Sequence, residues 1–496
     1  MKTSSNIFEL IKSLTPAEKR YFKVFAKRHV KGDENNYVLL FNAIDKQTDY
    51  NEAILLKKIK RGTSVKHFSS EKSYLYKLIL KAMNAYDLDK SIEAKIREQI
   101  GFITFFQKKR LYQQALKQLD KTKKLAVKYE HYYYLIQILH LEIDIIDKAH
   151  QLQYKKRLDN NQIEMQKGLQ KINLHHQYRR LHSEAFWKNT KRISSSDQEQ
   201  ITYFQQIIQS KLLSLSPISD FRIQKIHYQT LQLCYLQTHQ NLKSYECALK
   251  IVDLYESHPH FLKNSVLDYI SILGNTIVSC FQLQDWEGMY QIIQKMRKVP
   301  TQNINQDILI FEKSYNAETA YYQERKESEK VQKLLIVIEQ RLLFYDKKIR
   351  QPSLLTWYYN LAGLHFSFRN FNKALELINR FFNLYTTGVR EDIYNKAVYL
   401  NLLIHWKLDN HRLLESLIRT VERYVRQKNK TYSLELPILA FFRKMLNLPI
   451  AASQERLSLL QSLDEKFENL EDKIEKGFWN SFGLIDWLKE QLKNES

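Results

Sequence analysis

The chain has 496 residues, of which 44% are hydrophobic, and 77 Lys and Arg against 54 Asp and Glu give a formal net charge of +23. With only 10 Gly and 7 Pro, the chain lacks the turn residues that β-rich and α/β folds need, so the composition predicts an all-α protein. No two glycines lie closer than six residues, which excludes the dinucleotide loop, the phosphate loop and the nucleophile elbow of many common enzymes.

The first strongly marked element is a helix in TPAEKRYFKVFAKRHVK, residues 15–31. Thr15, Pro16 and Glu18 form a helix start with a capping box. Four cations recur at helical spacing on one face, namely Arg20, Lys23, Lys27 and Lys31. An ordinary amphipathic helix has such a face, so a solvated outer surface is the first interpretation. Contact with phosphate or with an acidic partner is the alternative.

The whole front of the chain is basic. Residues 1–200 contain 39 Lys and Arg against 22 Asp and Glu, a balance that attracts nucleic acid, an acidic partner or the acidic tail of the chain itself. Within this part, LHHQYRRLHSEAFWKNTKR, residues 174–192, places Arg179 and Arg180 among histidines and aromatic rings. Single-strand nucleic-acid binders interleave basic and aromatic residues in this way, whereas a structural helix uses such rings as core.

Catalytic and metal-binding patterns are weak. The segment HLEIDIIDKAH, residues 140–150, has the carboxylate-plus-histidine spacing of di-metal helical bundles at Asp147 and His150. No second pair accompanies it, so a helix with a solvated acidic face is the preferred interpretation. We expect no catalytic residues, no metal and no cofactor.

From about residue 90 the apolar spacing indicates successive pairs of helices. The clearest pair lies in TWYYNLAGLHFSFRNFNKALELINRFFNLY, residues 356–385, where Ala362 is a small residue in the first helix. Phe371 follows the turn, and Ala374 comes twelve residues after Ala362. Related segments occur at residues 102–126, 244–259 and 273–300.

This pattern resembles the tetratricopeptide repeat, although Ile103, Ile277 and Met289 replace its small residues. The resemblance implies a solenoid of antiparallel helix pairs whose first helices line a concave groove. Aligning residues 356–385 with 271–300 by their turns places Asn275 and Asn360 at the same inward position, with Tyr359 beside Asn360. We therefore predict a peptide groove that contains Asn275, Tyr359 and Asn360. An amide can pair with a peptide backbone, and an aromatic ring can anchor a side chain. The alternative is that Asn275 and Asn360 only form hydrogen bonds across adjacent helices.

The C-terminal segment GFWNSFGLIDWLKEQL, residues 477–492, is apolar over much of its helical circumference. Two interpretations are open: the helix folds back over the array, or it forms a surface for a partner or a homodimer. The residues of that predicted surface are Phe478, Trp479, Phe482 and Trp487.

The sequence also predicts a cytoplasmic location. Its three cysteines are scattered and odd in number, which is typical of a reducing compartment. The N-terminus lacks the apolar core of a signal peptide, and we expect no membrane span.

We predict an all-α protein with a helical N-terminal module at 1–88, a tetratricopeptide-like α-solenoid at 89–450 and acidic capping or partner-binding helices at 451–496. The predicted function is a non-enzymatic scaffold or adaptor that binds a peptide or protein segment in the concave groove. The alternative is a nucleic-acid-binding or regulatory protein that uses the basic first 200 residues.

Overall fold

The computed structural model describes residues 3–29, 36–47, 50–59, 68–87, 91–149, 155–190, 197–214, 220–345, 348–427, 432–449, 452–471, 473–480 and 482–495. Over these ranges the chain forms 26 helices and no strand, and the fold is 86% helical. Consecutive helices pack against each other as neighbours. The prediction of an all-α protein built from neighbouring helices is confirmed.

The chain divides into two compact units, Met1–Pro300 and Thr301–Ser496, called here the first and the second unit. The predicted boundaries at residues 88 and 450 stay predictions. The helices of the first unit are α1 (Thr3–Ser13), α2 (Pro16–His29), α3 (Asn36–Asp45), α4 (Glu52–Ile59), α5 (Phe68–Asp87), α6 (Ile92–Lys108), α7 (Tyr112–Lys128), α8 (Tyr132–Ala149), α9 (Lys155–Thr190), α10 (Asp197–Ile208), α11 (Lys211–Ser214), α12 (Phe221–Gln237), α13 (Asn241–Glu256), α14 (Pro259–Asn264), α15 (Val266–Leu283) and α16 (Trp286–Arg297).

Helices α1 to α5 enclose an apolar cluster of their own. The predicted capping box starts α2: the Glu18 carboxylate accepts from the Thr15 amide at 2.6 Å and from its hydroxyl at 2.8 Å, and the Thr15 oxygen accepts from the Glu18 amide at 3.3 Å. The buried face of α2 carries Phe22, whose ring stacks on Phe41 at 4.6 Å. Local sequence therefore sets where this helix starts and which face it buries.

A single type of turn recurs between helices. In seven of the described connections a non-glycine residue adopts the left-handed region just after a helix, with φ between 53° and 60°. The next amide donates to the carbonyl five residues back, as Leu111 does to Phe106 at 2.9 Å and Asn370 to His365 at 2.8 Å. This Schellman pattern usually uses glycine. The seven residues are Arg110, Glu130, His239, Gln284, Lys326, Arg369 and Asp409.

The second unit has one continuous core that includes its last helices. Ala362 and Ala374 are both fully buried, as expected for small residues where two helices approach closely. The helices of this unit are α17 (Ile304–Glu324), α18 (Ser328–Phe344), α19 (Gln351–Ser367), α20 (Phe371–Leu384), α21 (Glu391–Lys407), α22 (His411–Gln427), α23 (Glu435–Asn447), α24 (Ser453–Glu468), α25 (Lys473–Asn480) and α26 (Leu484–Glu495).

A buried carboxylate on α25 forms hydrogen bonds with the segment that precedes α23. Glu475 on α25 is 4% exposed and accepts from the Ser433 amide at 3.0 Å, the Ser433 hydroxyl at 2.9 Å and the Leu434 amide at 2.8 Å. The indole of Trp479 donates to the same carboxylate at 3.1 Å. Glu475 thereby caps the start of α23 from a helix about 40 residues further along the chain.

One described helix, α15, is long and apolar enough to cross a bilayer by length and composition. More than half of it, 56%, is buried inside the structure, and it packs between α13 and α16. This is the pattern of a core helix.

Candidate functional site

A groove of about 420 Å³ opens in the second unit, between α17, α19 and the turn that joins α25 to α26. Its long walls are the first helices of two successive pairs, α17/α18 and α19/α20. On α17 the lining residues Asn316, Ala320 and Gln323 recur at helical spacing, so one face of the helix is turned to the groove. Asn360, Gly363 and Ser367 form the corresponding face of α19.

Gly363 keeps the floor of the groove open. A Cβ atom added there would meet no atom within 4 Å, so the glycine is not required by packing between helices. Glycine costs roughly 1 kcal/mol in a helix interior relative to alanine. What Gly363 provides in return is a backbone without a side chain, which a ligand in the groove can approach closely.

Side-chain amides supply most of the hydrogen-bonding groups of the groove. Asn316 donates to the Glu312 carbonyl at 2.7 Å and accepts from the Asn360 amide nitrogen at 3.1 Å. This pair fixes both amides and leaves the Asn360 oxygen as an acceptor. Gln323 and Asn480 are exposed, and their amides make no hydrogen bond with any described residue. Donors and acceptors are therefore both present along the groove.

The groove has an apolar component and one charge. Tyr359 is 8% exposed and Phe482 5% exposed, and both line the groove. Of the described residues that line the groove, Asp486 alone is charged. The site therefore combines an uncharged polar surface with a single anionic end.

The structure places the predicted groove residues in two different units. Tyr359 and Asn360 line the groove of the second unit. Asn275 is exposed on α15 of the first unit and is not part of that groove. The inter-helix hydrogen bond of Asn360 also shows that this residue has a structural role beside its position in the groove.

The predicted cations of α2 are placed unequally. Arg20 and Lys27 are exposed, whereas Lys23 is half-buried with its ammonium 5.9 Å from the centre of the Phe41 ring. Lys31 lies outside the described residues. Contact between these cations and a ligand stays a prediction.

The two arginines of α9 face different surroundings. Arg180 is 77% exposed and forms an ion pair with Glu184 at 2.9 Å, one helical turn away. Arg179 is exposed as well, but it lines a cavity of the first unit together with residues of α12. The two neighbours in sequence therefore have different environments, although the prediction assigned them one role.

The four aromatic residues of the predicted partner surface are buried, at 6% exposure or less. Tyr399 on α21 contacts the rings of Phe478, Trp479 and Phe482, and Trp487 packs against Trp406 of the same helix. The apolar stripe thus completes the core of the second unit. This placement corrects the surface interpretation and agrees with the alternative in which the helix folds back.

The predicted acidic and histidine residues of the HLEIDIIDKAH segment do not form a metal site among the described residues. His140, Asp144 and Asp147 are exposed, and His150 lies outside the described residues. In the part of the chain that the structure describes, no group of three metal-ligating side chains occurs. The buried member of the segment is Glu142, which sequence reasoning missed. The Glu142 carboxylate is fully buried and accepts from Asn161 at 2.8 Å and from Lys123 and Arg157.

Comparison with known protein families finds no family model that matches the chain, and comparison with curated proteins finds no significant match.

Proposed function

We propose that the protein is a non-enzymatic interaction scaffold, and that an extended peptide segment of a partner protein binds in the groove of the second unit. The observation that carries this proposal is the lining of the groove. Amides with unused hydrogen-bonding groups line the groove on α17 and α25, aromatic residues line it beside them, and there is open space at the Cβ position of Gly363. Such a surface can pair with a peptide backbone largely irrespective of its side chains.

The architecture that we infer is a tetratricopeptide-like solenoid. Two features support this inference: neighbouring helices pack in succession, and the same Schellman turn recurs between them. In such an array the first helices of successive pairs form the inner surface, and the groove is lined by α17 and α19, which are first helices of their pairs. We also propose a cytoplasmic location, which the three buried, unpaired cysteines favour.

The charge of the groove suggests the chemistry of its occupant. With Asp486 as the charged lining residue, a peptide that carries Lys or Arg near this end gains an attractive interaction, whereas an acidic peptide is disfavoured. The aromatic residues beside Asn360 suit an extended peptide that presents a large apolar side chain to them.

Selection from a random peptide library displayed on phage, followed by anisotropy measurements on the full chain, tests the proposal. Gln323→Ala combined with Asn480→Ala should weaken a selected peptide by roughly tenfold or more, because two backbone hydrogen bonds are lost. Neither amide bonds a described residue, so the melting temperature should not change.

The matched control is Asn372→Ala with Asn379→Ala. Both are exposed amides on α20, outside the groove, and their removal should leave affinity unchanged. Selected peptides that bind both double variants equally well would place the binding surface elsewhere.

Nucleic-acid binding through the basic first 200 residues is the second candidate, favoured by the exposure of Arg20 and Lys27 on one helix. Affinity for mixed-sequence DNA or RNA would then fall steeply with salt, because phosphate contacts release counterions. Arg20→Glu with Lys27→Glu would abolish it. A protein purified without nucleic acid that binds none at low salt would exclude this candidate.

A further inference from the structure

A second cavity in the first unit has a chemistry unlike that of the groove. It measures about 450 Å³ and lies where α9, α12 and the start of α15 meet. Two helices present it with polar faces at helical spacing: α9 contributes His175, Arg179 and His182, and α12 contributes residues on the corresponding face. The polar lining residues of α12 are Arg222, Lys225 and Gln229.

Most of these cations are held by the protein, which fixes their positions. The Arg222 guanidinium donates to the Tyr129 carbonyl at 3.3 Å and lies against the His131 ring at 3.2 Å. The Lys225 ammonium pairs with Asp268 at 2.6 Å. The Glu130 carboxylate accepts the amides of Phe221 and Arg222 at 2.7 and 2.8 Å and caps α12. It also lines the adjoining cavity described below, where its negative charge offsets part of the positive charge of Arg222.

Arg179 differs from the other two cations. Its guanidinium makes no hydrogen bond or ion pair with any described residue, although it lines the cavity between two histidines of its own helix. The Gln229 side chain is likewise without a described hydrogen bond. A planar guanidinium with unused donors is the group best suited to a carboxylate or phosphate in two-point contact.

An adjoining cavity of about 250 Å³ is more apolar. It shares Glu93, His175 and Arg222 with the larger cavity, so Arg222 stands at the boundary between them. The rest of its lining is dominated by aromatic and aliphatic side chains, including Tyr133, Tyr134, Ile172 and Ile223. The larger cavity therefore has three cations, Arg179, Arg222 and Lys225, against the carboxylates of Glu93 and Asp268. The adjoining cavity is more apolar, although Glu93 and Glu130 also line it.

We propose that these cavities bind an organic oxyanion, a carboxylate or a phosphate monoester, whose charged group contacts Arg179 and Arg222 and whose apolar body occupies the adjoining cavity. The larger cavity has the volume of a small-molecule site and is too small for a nucleic-acid duplex. This site is independent of the peptide groove, which belongs to the second unit.

The histidines link such binding to protons. Burial lowers the pKa of His175 and of His182, and the nearby cations lower both further. The Thr230 hydroxyl donates its proton to the Ile226 carbonyl at 2.7 Å. Its oxygen therefore accepts from His182 Nδ1 at 3.3 Å, so Nδ1 carries the hydrogen of the neutral ring. His182 Nε2 is then the nitrogen that binds a further proton. An oxyanion offsets the cationic field and favours protonation. The charged groups that face these two rings are Glu93 of α6, His176 and Arg179 of α9, Arg222 and Lys225 of α12, and Asp268 of α15.

Calorimetric titration of the full chain with phenyl phosphate, phenylacetate and inorganic phosphate tests the proposal. We expect an aromatic probe to bind more tightly than inorganic phosphate, and the tighter of the two aromatic probes identifies the charged group. Arg179→Gln should weaken that probe by roughly tenfold or more, because the two-point contact of the guanidinium with the anion is lost. Arg180→Gln, one residue away but outside the cavity, is the matched control and should leave the affinity unchanged.

Phenylacetate, whose charge is constant over this range, should bind more tightly as the pH is lowered from about 7.5 to about 5.5, because protonated histidine favours an anion. His182→Gln should flatten this dependence. The proposal is overturned if none of the probes binds the folded wild-type protein at either pH. It is equally overturned if Arg179→Gln and Arg180→Gln weaken binding to the same extent. That result would indicate that the probe is attracted by the general positive charge of the surface and not by a specific contact with Arg179.

Discussion

Glu475 should be the most sensitive single position of the second unit outside its apolar core. Its carboxylate is buried and accepts from two backbone amides, a hydroxyl and an indole. Replacing it with alanine removes the cap of α23 and leaves the Trp479 indole and the Ser433 hydroxyl without this acceptor. A lost helix cap costs about 1 kcal/mol, and each buried donor left unpaired costs roughly 1–3 kcal/mol.

Glu475→Ala should therefore lower the free energy of unfolding by about 4 kcal/mol, which is a shift of roughly 2 M in the urea midpoint if the denaturant slope is about 2 kcal/mol per molar. Glu475→Gln should cost less, because its amide oxygen still accepts while its nitrogen faces donors. Any loss of stability that remains in the isosteric Glu475→Gln variant would show that the charge of the carboxylate, and not only its shape, stabilises the second unit.

Tryptophan fluorescence is the appropriate measurement, because four of the six tryptophans lie in the second unit and Trp479 itself contacts the mutated residue. Lys476→Ala is the control, an exposed neighbour on the same helix. If Glu475→Ala moves the midpoint no further than Lys476→Ala does, the capping account is refuted.

Three further predictions follow from the described contacts. Lys326→Gly should raise the stability of the second unit by about 0.5–1 kcal/mol, because glycine relieves left-handed strain that exceeds its entropic cost. Lys333→Gly, at an exposed position inside α18, should instead lower stability by a similar amount; equal effects of the two changes in thermal unfolding would contradict this prediction. Burial, and then Lys250, lower the pKa of His227 to about 4. As the pH falls, this histidine is protonated in the unfolded chain before it is protonated in the folded one, so the free energy of unfolding should fall by up to about 3 kcal/mol between about pH 6.5 and 4. In urea titrations at each pH, His227→Phe should remove this part of the pH dependence. The three cysteine thiols are buried, with pKa values raised to about 11 or 12, so a thiol reagent should label none in the folded protein near pH 8 and all three in denaturant; rapid labelling without denaturant would contradict their placement.

Features that depend on neighbouring residues could be predicted from the sequence. The helical content followed from the scarcity of turn residues, and the capping box at Thr15 needs only residues three apart. Ala362 and Ala374 could be recognised because helix pairing requires small residues at a fixed spacing. The stripe of the C-terminal helices was also visible, but its burial depends on Tyr399 and Trp406, about 80 residues earlier.

The parts of the two cavities that come from distant segments could not be predicted. Asn480 and Asp486 join Asn360 only because the fold brings the end of α25 and the start of α26 to the groove that α19 lines. Arg222 and Lys225 join Arg179 because α12 packs on α9. Hydrophobic periodicity indicates which face of each helix is buried, but it does not indicate which helix will cover that face. The polar stripe of α17 was a local signal that could have been used.

Filling the groove of the second unit tests the central claim most directly. Gly363 lines the groove and has open space at its Cβ position, so Gly363→Phe should leave the fold intact while its ring occupies the binding surface. Gly477 on α25 also has no atom within 4 Å of a Cβ, and Gly477→Phe is the matched control. The account predicts that a peptide selected on the wild-type protein loses its measurable affinity for Gly363→Phe and binds Gly477→Phe as before; undiminished binding to a correctly folded Gly363→Phe protein would contradict it.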